Sequence, residues 1–144
     1  MDYRNLFSAL GFSPKENVVG IFSKAYVSAD NYTVESDIEN GVINYGDLIR
    51  SDSKTTQNFS QPENFVVLEC VNRLLEKGYK PQNIILEKNY PAGRGVTKRL
   101  DILVLRDDGT AYLMIECKTC GKEFDRELSR MKKRDGGQLF TYFQ

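Results

Sequence analysis

Residues 98–118 read KRLDILVLRDDGTAYLMIECK: two apolar runs, Leu100 to Arg106 and Ala111 to Lys118, flank Asp107-Asp108-Gly109-Thr110. Apolar runs bounded by an Asp-Gly turn predict a β-hairpin. With Asp108-Gly109 as the two central residues of a type I′ turn, Asp107 pairs with Thr110, Leu105 with Tyr112 and Leu103 with Met114. Asp101 then falls directly opposite Glu116. Strand side chains alternate faces, so Lys118 shares the face of Glu116. The intervening residues are apolar on both faces: Leu103, Leu105 and Met114 on one, Ile102, Val104, Leu113 and Ile115 on the other. Such a hairpin belongs in a sheet covered on both sides.

The flanking segments have clear punctuation. Ser60-Gln61-Pro62-Glu63 offers a capping serine, a proline in the first turn and a glutamate three residues after the serine. The helix it starts runs to about Lys77, with Val67, Leu68, Val71, Leu74 and Leu75 as its apolar stripe and Gly78 as its stop. Asn83 to Tyr90 reads as a strand, and Pro91-Ala92-Gly93-Arg94-Gly95 as a mobile loop. After Gly121 the pattern turns helical through Phe124, Leu128 and Met131; Gly136-Gly137 interrupts it, and a last helical piece starts near Gln138. The order is helix, strand, strand, strand, helix.

Upstream, the polar stretch Ser51 to Gln61 reads as a linker or long loop. Before it come a short helix from Asp2 to Leu10 ended by Gly11, a β-rich run from Val18 to Val27, and a hairpin from Tyr32 to Tyr45 around Asn40-Gly41. The expected organisation is an accessory module over residues 1–61, a helix plus β-rich segments without a catalytic constellation, and a core over residues 62–144. The chain closes on the apolar run Phe140-Thr141-Tyr142-Phe143-Gln144. Termini are ordinarily polar and frayed, so this ending predicts the N-terminal fragment of a longer protein.

Composition narrows the chemistry. The 144 residues are 40% hydrophobic and 28% charged, a globular balance. There is no histidine, which removes Ser-His-Asp and Cys-His nucleophile systems, histidine zinc ligands and any imidazole base. Cys70, Cys117 and Cys120 do not form a secreted disulfide framework. No segment approaches the roughly 18 apolar residues of a membrane span, so the expectation is a cytoplasmic protein with no membrane partner. Net charge is zero, yet residues 1–61 carry five Lys/Arg against eight Asp/Glu, and residues 62–144 carry fifteen against twelve. Lys88 to Arg99 holds four positive residues and no negative one. Arg94, Lys98 and Arg99 there fit either a phosphate-facing patch, whose contacts would position nucleic acid without reading its sequence, or a solvated surface of mixed charge.

The carboxylates carry the reactive possibility. Asp101 and Glu116, directly opposite in a hairpin interior, repel each other. Lys118 alone, a metal ion, or exposure at the strand ends could compensate. A hard cation such as Mg²⁺ takes carboxylate and carbonyl oxygens, keeps several waters and commonly binds phosphates. It would supply Lewis-acid stabilisation and a more acidic water, which suits phosphodiester hydrolysis without histidine.

Asp101 and Glu116-Cys117-Lys118, on this order of elements, resemble the core of the PD-(D/E)XK nuclease superfamily. Residues 62–144 resemble in particular the N-terminal endonuclease domain of type I restriction enzyme R subunits and related restriction–modification fusions. The matching pieces are Pro62-Glu63, Glu69, Lys98-Arg99-Leu100-Asp101-Ile102, Met114-Ile115-Glu116-Cys117-Lys118 and Gln138-Leu139-Phe140-Thr141-Tyr142. The last fits a Gln-x-x-x-Tyr motif that follows the core in that group. The residue before Asp101 is Leu100, where the superfamily pattern has proline.

The resemblance implies an α/β (mixed α+β) fold, a central mixed sheet flanked by helices. It implies Mg²⁺, replaceable by Mn²⁺, on Asp101, Glu116 and the Cys117 carbonyl, with Lys118 positioning the attacking water and a 5′-phosphate product. Glu69, Gln138 and Tyr142 would be auxiliary to the site. Glu69 has a plainer reading as a solvated partner of Arg73, four residues on, and Gln138 and Tyr142 as an ordinary helix end. Double-stranded DNA would be the substrate. A helicase or translocase domain, through which alone ATP would enter, and methyltransferase and specificity subunits or domains would be the partners.

Two other readings compete. A nuclease-like fold can be kept for DNA binding or assembly without catalysis. Cys117-Lys118-Thr119-Cys120 stands between a strand and a helix, as a thioredoxin-like dithiol does. The proline that normally follows such a motif is absent, because none occurs after Pro91.

Overall fold

The protein is described by a computed structural model over residues 3–92 and 94–133. The expected helical piece with Gln138 and Tyr142 lies outside the described residues. The fold is mixed α/β, with two four-stranded sheets and three α-helices among the described residues. Among the described residues no helix is long and apolar enough to cross a membrane.

The chain opens with α1 (Tyr3–Ala9), followed by β1 (Ser13–Pro14), β2 (Ile21–Tyr26), β3 (Tyr32–Asp37) and β4 (Val42–Asn44), an antiparallel sheet in sequential order. Alternation turns Phe22, Tyr26, Val34 and Ile43 inward, where they meet Phe7 of α1. The Asn40-Gly41 turn is wider than a two-residue turn. Asp37 pairs with Val42, and its Oδ1 accepts the N–H groups of Glu39 and Asn40.

The second sheet runs β5 (Arg50–Ser51), β6 (Ile84–Pro91), β7 (Thr97–Leu105) and β8 (Ala111–Ile115), with β5 parallel to β6 and the rest antiparallel. Between β5 and β6 lies α2 (Pro62–Glu76), and α3 (Lys122–Met131) follows β8. The predicted order of helix, three strands and helix is therefore observed. Val67, Leu68, Val71, Leu74 and Leu75 of α2 join Ile84, Leu86, Ile102 and Val104 in the same buried cluster as Phe7 and Phe22. Ile85, Leu100 and Leu103 form a second, smaller cluster.

Two local expectations are corrected and a third is refined. The β7–β8 register holds at Ile102–Ile115, Leu103–Met114 and Val104–Leu113, but Leu105 pairs with Ala111, not Tyr112. Arg106 N–H donates to the Thr110 carbonyl and Gly109 N–H to the Arg106 carbonyl, which makes Asp107-Asp108-Gly109 a three-residue loop. Gly109 has a φ of 84°, whereas Asp108 stays out of the left-handed region and accepts the Thr110 N–H and hydroxyl. A type I′ turn needs both central residues at positive φ, a conformation that favours glycine far more than aspartate.

The second correction is the cap of α2, which is Gln61 without a side-chain hydrogen bond; Glu63 leaves the helix end for Lys118. The third expectation, a linker or long loop, is refined: residues 52–61 form a loop, and side chains along it pin it to the rest of the fold. Thr55 and Thr56 donate to the fully buried Glu87 of β6. Phe59 stacks among Tyr3, Phe7 and Phe65.

Candidate active site

The register of β7 and β8 carries Asp101 to the end of the hairpin, where the chain leaves β8 at Ile115 and continues through Glu116, Cys117 and Lys118. Asp101 Oδ2 accepts the Cys117 N–H at 2.6 Å. Glu116 Oε1 accepts from Lys118 Nζ at 2.6 Å, and the same ammonium reaches the Cys117 carbonyl at 2.9 Å. The backbone of one residue, Cys117, thus links all three predicted residues. Exposure is not the compensating device at this strand end, because the Glu116 side chain is only 5% exposed.

The electrostatics follow from burial. Desolvation drives Glu116 up to about 7, with Lys118 opposing and the charges of Asp101 and Glu63 adding. Asp101 is raised for the same leading reason, against the pull of the Cys117 N–H and Lys118. Burial disfavours the Lys118 charge, but the hydrogen bond it donates to Glu116 and the charges of Glu116, Glu63 and Asp101 outweigh it and hold its pKa above the ordinary lysine value.

The fourth member of the cluster is Glu63, whose Oε1 stands 3.5 Å from Lys118 Nζ. In the sequence it stands in a capping box, a local role that a distant lysine overrides, and in the Pro62-Glu63 piece of the family resemblance. Glu69 is placed elsewhere: it holds Arg73 Nε and Nη2 at 3.0 and 2.6 Å on the exposed face of α2. Arg94 is exposed in the β6–β7 turn, and Lys98 and Arg99 follow it on β7. Arg99 Nη1 stands 3.5 Å from Glu87, and its charge acts on Asp101. The two cysteines of the Cys-x-x-Cys motif differ in setting, Cys120 exposed and Cys117 buried.

Whether these residues suit a divalent ion turns on one atom. Glu116 Oε2 is buried without a hydrogen-bond partner. A buried, unsatisfied carboxylate oxygen is costly and calls for a cation or a proton. Among the described residues no group of three or more Asp, Glu or Cys side chains is arranged to hold a metal ion. Mg²⁺ needs fewer, since it is usually held by one or two carboxylates plus waters. The donor set fits on that basis, with the Cys117 carbonyl shared with Lys118. Beside it, Glu116, Lys118, Phe124, Glu127, Leu128 and Met131 line a cavity of about 90 Å³ under α3.

Comparison with protein-family models gives no match, and comparison with curated proteins gives none either.

Proposed function

We propose that this chain is a metal-dependent endonuclease domain of the PD-(D/E)XK kind, acting on double-stranded DNA in the cytoplasm as part of a type I-like restriction enzyme. The observation that carries the reading is the unpartnered, buried Oε2 of Glu116 beside Asp101 and Lys118. Asp101, Glu116 and the Cys117 carbonyl would hold Mg²⁺ or Mn²⁺. When bound, the ion supplies Lewis-acid stabilisation of the phosphate and a more acidic water.

The chain's own residues do the rest. Lys118 stays an ammonium across the neutral range, because its pKa is held above the ordinary lysine value. It is therefore a donor and a positive charge rather than a base: it orients the attacking water and opposes the charge growing on the phosphate. Glu63 steadies that ammonium from α2. Arg94, Lys98 and Arg99 lie on the same strand and turn as Asp101 and would bear on the DNA backbone. A motor domain outside this chain would account for any ATP dependence, with methyltransferase and specificity parts as its partners.

The test is plasmid cleavage across a Mg²⁺ and Mn²⁺ titration, with the enzyme as it exists in its full reading frame. Lys118→Ala should keep the fold and lose about 10²-fold or more in rate. Metal-independent binding of DNA without cleavage would leave a binding module instead.

A further inference from the structure

Cys70 of α2 and Cys117 face each other with their sulfur atoms 4.0 Å apart, and both are free thiols. The proposed hydrolysis uses neither side chain. Cys70 is partly exposed and lines a groove with Arg73, Leu74, Lys77, Tyr79 and Leu113, so a small oxidant reaches it from solvent. Cys117 is only 2% exposed, which shields it from direct oxidation and leaves it poised behind Cys70. A disulfide has its sulfurs about 2.0 Å apart, so the pair must close by about 2 Å, within reach of side-chain rotation and a small shift of α2. The sequence motif had paired Cys117 with Cys120; folding gives it Cys70.

We propose that Cys70 and Cys117 form a peroxide-sensitive dithiol whose disulfide ties α2 to the chain segment carrying Glu116 and Lys118. The Cys70 sulfur attacks one oxygen of hydrogen peroxide, the O–O bond breaks, and the departing hydroxide takes the thiol proton as water. Cys70 is then a sulfenic acid. The Cys117 sulfur attacks the Cys70 sulfur, the S–O bond breaks, and the leaving hydroxide takes the Cys117 proton as a second water. Two thiols are oxidised and one peroxide is reduced. The crosslink acts on the residue whose N–H holds Asp101 and whose carbonyl holds Lys118. It also fixes α2, from which Glu63 reaches the same lysine. Oxidation therefore reports on the carboxylate cluster whatever that cluster binds.

The experiment treats the reduced full chain with hydrogen peroxide, alkylates the remaining thiols and maps peptides without reduction. The expected result is an intramolecular Cys70–Cys117 link, a loss of two hydrogens from the intact mass, and full reversal by dithiothreitol. Cys120→Ser should form the link unchanged, and Cys70→Ser should leave Cys117 as a free thiol. A Cys117–Cys120 link, a dimer joined through Cys120, or Cys70 overoxidised beside a reduced Cys117 would each overturn the proposal. Because the wild type and Cys120→Ser carry the decision, a Cys70 variant that fails to fold does not blunt it. The readout is a covalent bond, so it stands apart from any result on DNA cleavage.

Discussion

Two glutamates flank Asp101, Glu87 within the second sheet and Glu116 one residue past the end of β8, and they are held in opposite ways. Glu87, on β6, occupies the register position across from Asp101, between the Leu86–Ile102 and Lys88–Leu100 pairs. It is fully buried, and both its oxygens accept: Oε1 from the Thr55 hydroxyl, Oε2 from the Thr56 N–H and hydroxyl. Glu116, on the other side, gives Oε1 to Lys118 and leaves Oε2 with no partner. Burial is common to the two, so burial alone does not mark a site. The unfilled oxygen does: Glu87 closes a clamp between the loop and the sheet, whereas Glu116 keeps a position open for a cation or a proton.

The largest effect should come from breaking the clamp. Glu87→Ala removes the acceptor for three donors, two of them on the buried Thr56, and its expected cost is about 3 kcal/mol in urea denaturation. Unchanged stability would mean that the loop holds its place through Phe59 and its neighbours alone, and the contrast would lose one side.

A smaller effect of opposite sign is expected at Glu116. Its folded-state pKa lies above its ordinary value of 4.5, at about 7, so the native state binds more protons than the unfolded chain between those limits. Stability contributed by the protonated form is therefore lost as pH rises through that window. Glu116→Gln removes this penalty. Metal-free protein should gain at most about 3 kcal/mol at pH 8, less what the lost Lys118 contact takes back, and the gain should vanish below about pH 4.5. Asp101, raised in the same direction, keeps a residual slope in both proteins. A Glu116→Gln variant destabilised at pH 8 would make Glu116 a second structural clamp. The smallest effect belongs to Glu69. Its partner Arg73 is a solvent-facing residue one helical turn away, and Glu69→Gln should change neither melting temperature nor cleavage measurably.

These residues also show how far the sequence could be read. Periodicity and punctuation exposed α2, the three strands and α3, because each is a local pattern with its own stop signal. The pairing that joins Asp101 to Glu116 and Lys118 was legible even though the turn was misjudged: the irregular step falls between Val104 and Leu105, and the pairs nearer Asp101 keep their register. Glu69 had two readings that the sequence could not separate, and the geometry gives the plainer one, the partner of Arg73. Only the packing of α2 over the strand ends brings Glu63 to Lys118. Glu87 follows Ile84-Ile85-Leu86 and precedes Lys88, and its partners lie in a stretch that reads as a linker or long loop. Long-range polar satisfaction has no sequence period, and that is where the reading stopped.

The central claim is that Asp101 and Glu116 share a divalent ion, and denaturation with and without Mn²⁺ tests it without relying on catalysis. A cation that binds only the folded protein stabilises it by about 2.7 kcal/mol at a hundredfold excess over its dissociation constant. Wild type at neutral pH should show a gain of that order, Glu69→Gln should keep it, and Asp101→Asn should lose most of it while remaining folded without metal. A full Mn²⁺ response in Asp101→Asn, or none in the wild type, would contradict the shared ion and with it the nuclease reading.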